Sequence, residues 1–177
     1  MNTMGLEKLE DEVKMMDKPK QQNQVEPRQS VLTKSLGIGF ASGIIWSFFG
    51  AIAYYFHFAE VSAASFLFRS YWQTSWTGTW LAELLAIVVV GIVSLGTALI
   101  YYMTFKRMNG IWPGLLFGTL LWVLVFWLLN PLFPAIPSFM ELSSDTWVTT
   151  GCLFILYGVF IGYSISYEFR EFNASAN

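Results

Sequence analysis

The sequence predicts an all-α integral membrane protein: a four-helix transmembrane bundle, both termini cytoplasmic (N-in/C-in), with a disordered N-terminal tail. Three observations carry this expectation. The 177 residues are 55% hydrophobic and only 12% charged, whereas a soluble domain carries about a quarter charged residues. Twelve of the twenty-two Asp, Glu, Lys and Arg residues lie before residue 35, which leaves a remainder apolar enough for the membrane class. The Lys and Arg residues that flank the apolar stretches also fall overwhelmingly on one side, and that bias sets orientation in a membrane.

Residues 1–34 hold six acids and six bases with glutamines and two prolines, a composition that cannot bury a core. Within this tail Leu6, Leu9, Val13 and Met16 recur at helical spacing until Pro19. They form either a solvated helical turn or a docking helix for a membrane surface or partner. The membrane domain is expected over 35–170, followed by a short cytoplasmic tail, 171–177. A helix needs about 20 apolar residues to cross the hydrocarbon core. Four stretches meet that length, at about 36–56, 79–103, 111–129 and 146–167.

Orientation follows from the flanks. The tail carries six Lys and Arg residues, Lys106 and Arg107 lie between the second and third stretches, and Arg170 follows the fourth. The opposite side has Arg69 alone, so both termini are expected in the cytoplasm. Trp and Tyr mark the two interfaces, with Tyr54, Tyr55, Trp72, Trp76, Trp80, Trp127 and Trp147 outside and Tyr101, Tyr102, Trp112, Tyr163 and Tyr167 inside. The inner turn "KRMNGIWPG" is tight, with Pro113 in the first turn of the third helix, so helices two and three are expected to be antiparallel neighbours.

The first outer connection, "EVSAASFLFRSYWQTSWTG", is too short and polar for a further span. Its Val61, Ala64, Phe68 and Trp72 have the spacing of an interfacial helix with those residues toward lipid. Pro131, Pro134 and Pro137 predict that the second connection runs extended over the bundle.

Helices in lipid meet through close packing of small residues. Ser35, Gly39, Gly43, Ser47 and Ala51 recur every four residues along one face of the first span. Gly110, Gly114 and Gly118 repeat the device before and within the third, and Gly158, Gly162 and Ser166 within the fourth. These rows predict packing faces, within the bundle or between subunits.

Ionisable residues inside a span are functional suspects, and Glu83 is the acid that qualifies. It also lies about one turn into the second helix, where a carboxylate is favoured by the helix dipole. The residue three before it is Trp80, so no capping box is present. His57 and Glu60, at the outer end of the first helix, combine with Arg69 and Glu83 into an outer polar cluster. Such a set suits an anionic head group, a proton or a metal, although the spacing is too loose for a metal site. No catalytic motif, cofactor site or metal site is assigned: HExxH, Walker-type and GxSxG patterns are missing. A net charge of −2 gives no basic patch for nucleic acid. The single cysteine, Cys152, forms no internal disulfide and is expected to be a small buried thiol.

The segments "GIIWSFFGAIAYYFHFAE", "KRMNGIWPGLLFG" and "TTGCLFILYGVFIGYSISYEF" resemble the YqhR family of conserved membrane proteins from Bacillus-like bacteria, over roughly residues 36–172. The resemblance implies a four-span protein of the bacterial cytoplasmic (inner) membrane and supplies no catalytic residue. The functional expectation is a non-enzymatic accessory or scaffold protein in contact with membrane lipid, with protein partners or a homo-oligomer. The alternative is a small transporter or channel subunit that uses the outer polar cluster.

Overall fold

The computed structural model describes residues 28–175 apart from 73, 106 and 109, and side chains for 31–174 of these. Among the described residues the chain is helical and without strands. Helix α1 spans Arg28–Tyr55, α2 Trp80–Phe105, α3 Trp112–Val123 and α4 Ser144–Ser175. Three of them, α1, α2 and α4, contain stretches of 25, 26 and 31 residues long and apolar enough to cross a membrane. The third apolar helix is shorter, Trp112–Leu128. Its last part, Leu124–Leu128, is π-helical, and Leu129 N–H closes it by donating to the Leu124 carbonyl at 2.9 Å. The spaced leucines and valine of the tail lie outside the described residues. Helix α1 begins at Arg28, so helical structure reaches upstream of Leu36 into the polar tail.

The distribution of side chains is that of a chain solvated by hydrocarbon. Large apolar groups such as Phe48, Leu85, Ile92, Leu120 and Val148 are exposed, while Ser35, Ser42, Ser94, Thr146, Ala82 and Ala98 are buried. In water such broad apolar exposure would be an interaction surface. In lipid the small residues belong inside, because they let helix backbones approach. Two of the buried serines satisfy their hydroxyls within their own helix: Ser35 Oγ donates to the Val31 carbonyl and Ser42 Oγ to the Gly39 carbonyl, both at 2.8 Å.

Two glycine seams organise the packing. A Cβ on Gly43 would lie 2.5 Å from Ser94 Cβ and 2.9 Å from Gly91 Cα, so α1 and α2 are pressed together there. Gly39 lies against the Ser94 carbonyl and Ala98 one turn below. Ser47, next in that row, donates to its own helix at Ile44 O, 3.2 Å away. The second seam joins α3 to α4. A Cβ on Gly114 would meet Gly158 O at 2.7 Å, one on Gly158 would meet Gly118 Cα at 2.5 Å, and one on Gly162 would meet Gly114 Cα at 2.7 Å. A Cβ on Gly118 would meet Ile155 Cα at 2.9 Å. The two pairs are joined by α1 against α4.

This pairing alters the expectation for α2 and α3. They meet through aromatic rings near their shared turn, where Tyr101 and Phe105 stand edge-on to Phe117. Away from that turn, close packing ties α2 to α1 and α3 to α4 instead. The turn itself uses Gly110 at φ +101, with Pro113 at the start of α3. The ends of α1 and α4 lie together: Lys34 Nζ is 3.4 Å from Glu168 Oε2. Both described chain ends therefore belong to one end of the molecule, and both long connections to the other.

Two further expectations are corrected. Val61 and Ala64 do not face lipid; they are 5% and 0% exposed. The connection turns inward because Ala64 is small enough to pack on Ala82 and Ala86 of α2, while Val61 joins Phe126, Ile136 and Leu142. Cys152 is not buried but exposed on α4, since the face of that helix packed on α3 is taken by Ile155, Gly158 and Gly162 instead. The second connection, with a short turn at Asn130–Leu132, folds over the same end: Ile136 and Leu142 are buried there.

Candidate functional site

The described polar cluster forms where the first connection folds onto α2. Residues Ser65–Arg69 form a π-helical turn, which brings Ser62, Ser65 and Arg69 to one side. Ser62 N–H donates to Ser65 Oγ at 3.2 Å, and Ser70 Oγ donates to the Ser65 carbonyl at 2.9 Å. These local bonds hold the turn in shape before any longer contact is made.

Arg69 then reaches across to α2. Its Nη2 lies 2.7 Å from Glu83 Oε1, with the two side chains 21% and 16% exposed. Its Nε donates to the Thr77 carbonyl at 3.1 Å, and its Nη1 to Ser65 Oγ at 2.9 Å and Ser62 Oγ at 3.4 Å. The guanidinium carbon stands 4.8 Å from the Tyr54 ring centroid, within the range of a cation–π contact. One arginine thus joins α1, both parts of the connection and the first turn of α2.

Glu83 Oε1 also accepts from Ser62 Oγ at 2.7 Å. Its other oxygen, Oε2, is buried and has no partner. The arrangement neutralises a carboxylate at the start of a membrane helix, where its charge also matches the helix dipole. What stays open chemically is one acceptor, Oε2.

Arg69 and Glu83 are therefore brought together, whereas His57 and Glu60 are not. Both are exposed. His57 occupies the end of α1 at φ +62. Glu60 is fixed through its backbone, whose N–H donates to Thr146 Oγ1 at 2.9 Å. Ser62, Ser65, Thr77 and Tyr54 complete the site, and sequence reasoning does not single them out as its members. The spacing of Ser62, Ser65 and Arg69, three and seven residues apart, is the sequence signal that points to one helical face.

Long helices with an apolar exterior, and a partly buried ion pair under an inward-folded connection, define a multi-pass helical membrane protein. The chain belongs to the YqhR family: the family model described as "Conserved membrane protein YqhR" matches residues 15–177. That match begins upstream of the resemblance seen at residue 36 and takes in part of the polar tail. The chain is also 40% identical over 149 residues to a Bacillus subtilis (strain 168) protein described as "Uncharacterized protein YqhR", covering 84% of this chain and 83% of that one. No solved structure matches.

Proposed function

We propose that the chain is a four-span protein of the bacterial cytoplasmic membrane, both termini inside, acting as a non-enzymatic accessory or scaffold protein. The observation that carries this is the use of Arg69: its guanidinium is engaged by Glu83, Ser65, Ser62 and the Thr77 carbonyl. The charged cluster serves to hold a connection in place, and the exterior left for interaction is apolar helix surface and the polar tail. The orientation is supported by the nine-to-one division of Lys and Arg and by the pairing of Lys34 with Glu168. The fourth span is Trp112–Leu128, 17 residues long, at the lower limit of about 17–25 for a membrane helix.

The test is gentle extraction followed by native mass spectrometry and cross-linked pull-down. A defined homo-oligomer or stoichiometric protein partners support the proposal; a strict monomer without partners overturns it. Reporter fusions at residues 65 and 140 should read outside and a fusion at 108 inside. An inside signal at 65 or 140 reverses the orientation.

The second reading, a small transporter or channel subunit, is favoured by Glu83 Oε2, a buried acceptor without a partner. It requires that Glu83→Gln, at unchanged expression, abolishes a solute or proton-coupled flux in reconstituted vesicles. Unchanged flux removes it.

A further inference from the structure

Beneath the inward-folded connection, the four helices surround a cavity of about 330 Å³, within the range of roughly 300–1,000 Å³ that small-molecule sites occupy. Helix α1 packs on α2 and on α4, and α3 packs on α4, so the side between α2 and α3 is the open one. Val93 of α2 stands at that mouth: it lines the cavity and is 57% exposed. Phe66 and Phe133 roof the end beside the connections, their rings edge-on with centroids 5.2 Å apart. At the far end Tyr157 of α4 crosses to Ser94 and Thr97 of α2. The cavity is thus a slot with a roof, a floor and a lateral mouth.

Six hydroxyl groups line this slot, and every one of their protons is spent within the protein. Ser47 Oγ donates to the Ile44 carbonyl at 3.2 Å, Thr150 Oγ1 to the Thr146 carbonyl at 2.6 Å and Ser62 Oγ to Glu83 Oε1 at 2.7 Å. Thr97 Oγ1 donates to the Ser94 carbonyl at 2.9 Å. A hydroxyl has a single proton, so Thr97 accepts from Tyr157 OH, and Tyr157 accepts from Ser94 Oγ at 2.5 Å. Trp46 adds ring carbon alone, because its Nε1 is buried away from the slot. The walls are accordingly almost wholly apolar.

An occupant with carbonyl, ester or hydroxyl groups inside this slot would leave them unpaired, which is unfavourable. Water is disfavoured for the same reason, since apolar cavities stay dry. The chemistry that fits is plain hydrocarbon. Depth identifies its source. On α1 the slot runs from Gly50 to Gly43, five and twelve residues before Tyr55, the last residue of the helix, or about 7–8 and 18 Å along it. The hydrocarbon layer is roughly 30 Å thick, so the slot covers the deeper half of one leaflet and ends near the midplane. Acyl-chain ends lie at that depth, and they surround the mouth as the solvent itself. Nothing polar in the slot selects a rarer molecule over them. The roof prevents a head group from standing directly above, so a chain has to come in from the side.

We propose that this slot binds the terminal half of one phospholipid acyl chain, taken from the leaflet beside the two long connections. The chain enters between α2 and α3 and leaves its head group outside. This inference does not depend on the scaffold reading.

The test uses the full chain in phosphatidylglycerol nanodiscs doped with a phosphatidylcholine that carries a diazirine in the terminal half of one acyl chain. After illumination, the labelled residues are mapped by peptide mass spectrometry. Labelling is expected at Tyr157 and Phe66 inside the slot as well as at outward residues such as Ile92, which is 54% exposed. Gly50→Leu should reduce labelling of Tyr157 and Phe66 several-fold and leave Ile92 unchanged. A Cβ at Gly50 meets only Leu153 Cδ1, at 4.0 Å, so the larger side chain has room to fill the slot. Gly96→Leu adds the same side chain at an exposed position outside the slot and should leave all three sites labelled. Thermal melting checks that each variant is folded. The proposal is overturned if label in the wild type reaches outward residues alone, a result that needs no variant. It is also overturned if Gly50→Leu labels Tyr157 as strongly as wild type. Equal labelling of Tyr157 by a head-group diazirine, or stronger labelling by a diazirine-bearing isoprenoid at the same mole fraction, overturns it as well.

Discussion

Arg69 and Glu83 are fourteen residues apart in sequence, yet their charged groups stand 2.7 Å apart with most of both side chains covered. The pair connects a π-helical turn to the first turn of a membrane helix. Its geometry ties the π-helical turn to the segment that leads into α2, because Arg69 also holds the Thr77 carbonyl.

Breaking the pair from either side is expected to destabilise the protein unequally. Removing one partner of a buried pair costs about 3–5 kcal/mol, and partial exposure here should reduce that to about 2. Arg69→Met leaves the Glu83 carboxylate with Ser62 as its only donor, so it should lower the thermal midpoint more than Glu83→Gln, whose amide oxygen still accepts. The double variant Arg69→Met/Glu83→Met should lose less than the sum of the single losses. Strict additivity in a melting experiment would show that the pair is not coupled.

The glycine seams give a sharper contrast. Gly118→Ala and Gly158→Ala place a methyl group against backbone, at 2.9 Å from Ile155 Cα and 2.5 Å from Gly118 Cα respectively. Backbone cannot rotate away, so each should cost about 1–3 kcal/mol or more. At Gly37 and Gly96 an added methyl group would meet nothing within 4 Å; alanine there should stabilise by about 0.5–1 kcal/mol through helix propensity. Equal melting shifts at all four positions would sink the packing argument.

The legible parts of this fold are those set by local composition and period. Apolar length locates α1, α2 and α4, and the four-residue rows locate Gly39, Gly43, Gly114, Gly118, Gly158 and Gly162 at close approaches. The rows do not say which helix each one faces. Only the packed structure shows that α3 takes α4 rather than α2 along its length. The inward fold of Val61 and Ala64 is hidden because helical spacing gives a shared face but not whether lipid or Ala82 covers it. The Arg69–Glu83 contact likewise depends on a π-helical turn, which has no period of its own to detect. The exposure of Cys152 follows from which α4 face the seam consumes, a tertiary choice.

His57 illustrates another signal that sequence conceals. His57 N–H donates to Tyr54 O at 3.0 Å and Phe58 N–H to Ala53 O at 2.9 Å, the two bonds of a Schellman helix stop. The residue in the left-handed conformation of that motif is usually glycine, and here it is histidine at φ +62. His57→Gly is expected to preserve stability or raise it by up to about 1 kcal/mol, whereas the β-branched His57→Val should lose about 1–3 kcal/mol. A lower midpoint for His57→Gly than for wild type would give the imidazole a role beyond ending α1.

Cys152 offers a native probe of where α4 sits. It is the chain's single cysteine and lies eight residues after Ser144, the first residue of α4, so about 12 Å along the helix. Val148 and Leu156, one turn to either side, are 66% and 48% exposed, which continues the same uncovered apolar stripe. The three residues share one helix face, and on a helix apolar enough to cross a membrane that face is expected to meet hydrocarbon. A nitroxide attached to Cys152 in reconstituted membranes should therefore collide readily with dissolved oxygen and poorly with a water-soluble nickel chelate. In intact membranes a charged maleimide should leave the thiol unlabelled, while an apolar maleimide should reach it. Denaturation in detergent should make both reagents effective. Strong relaxation by the nickel chelate in the folded protein would place this face of α4 against water and contradict its assignment as a membrane-embedded surface.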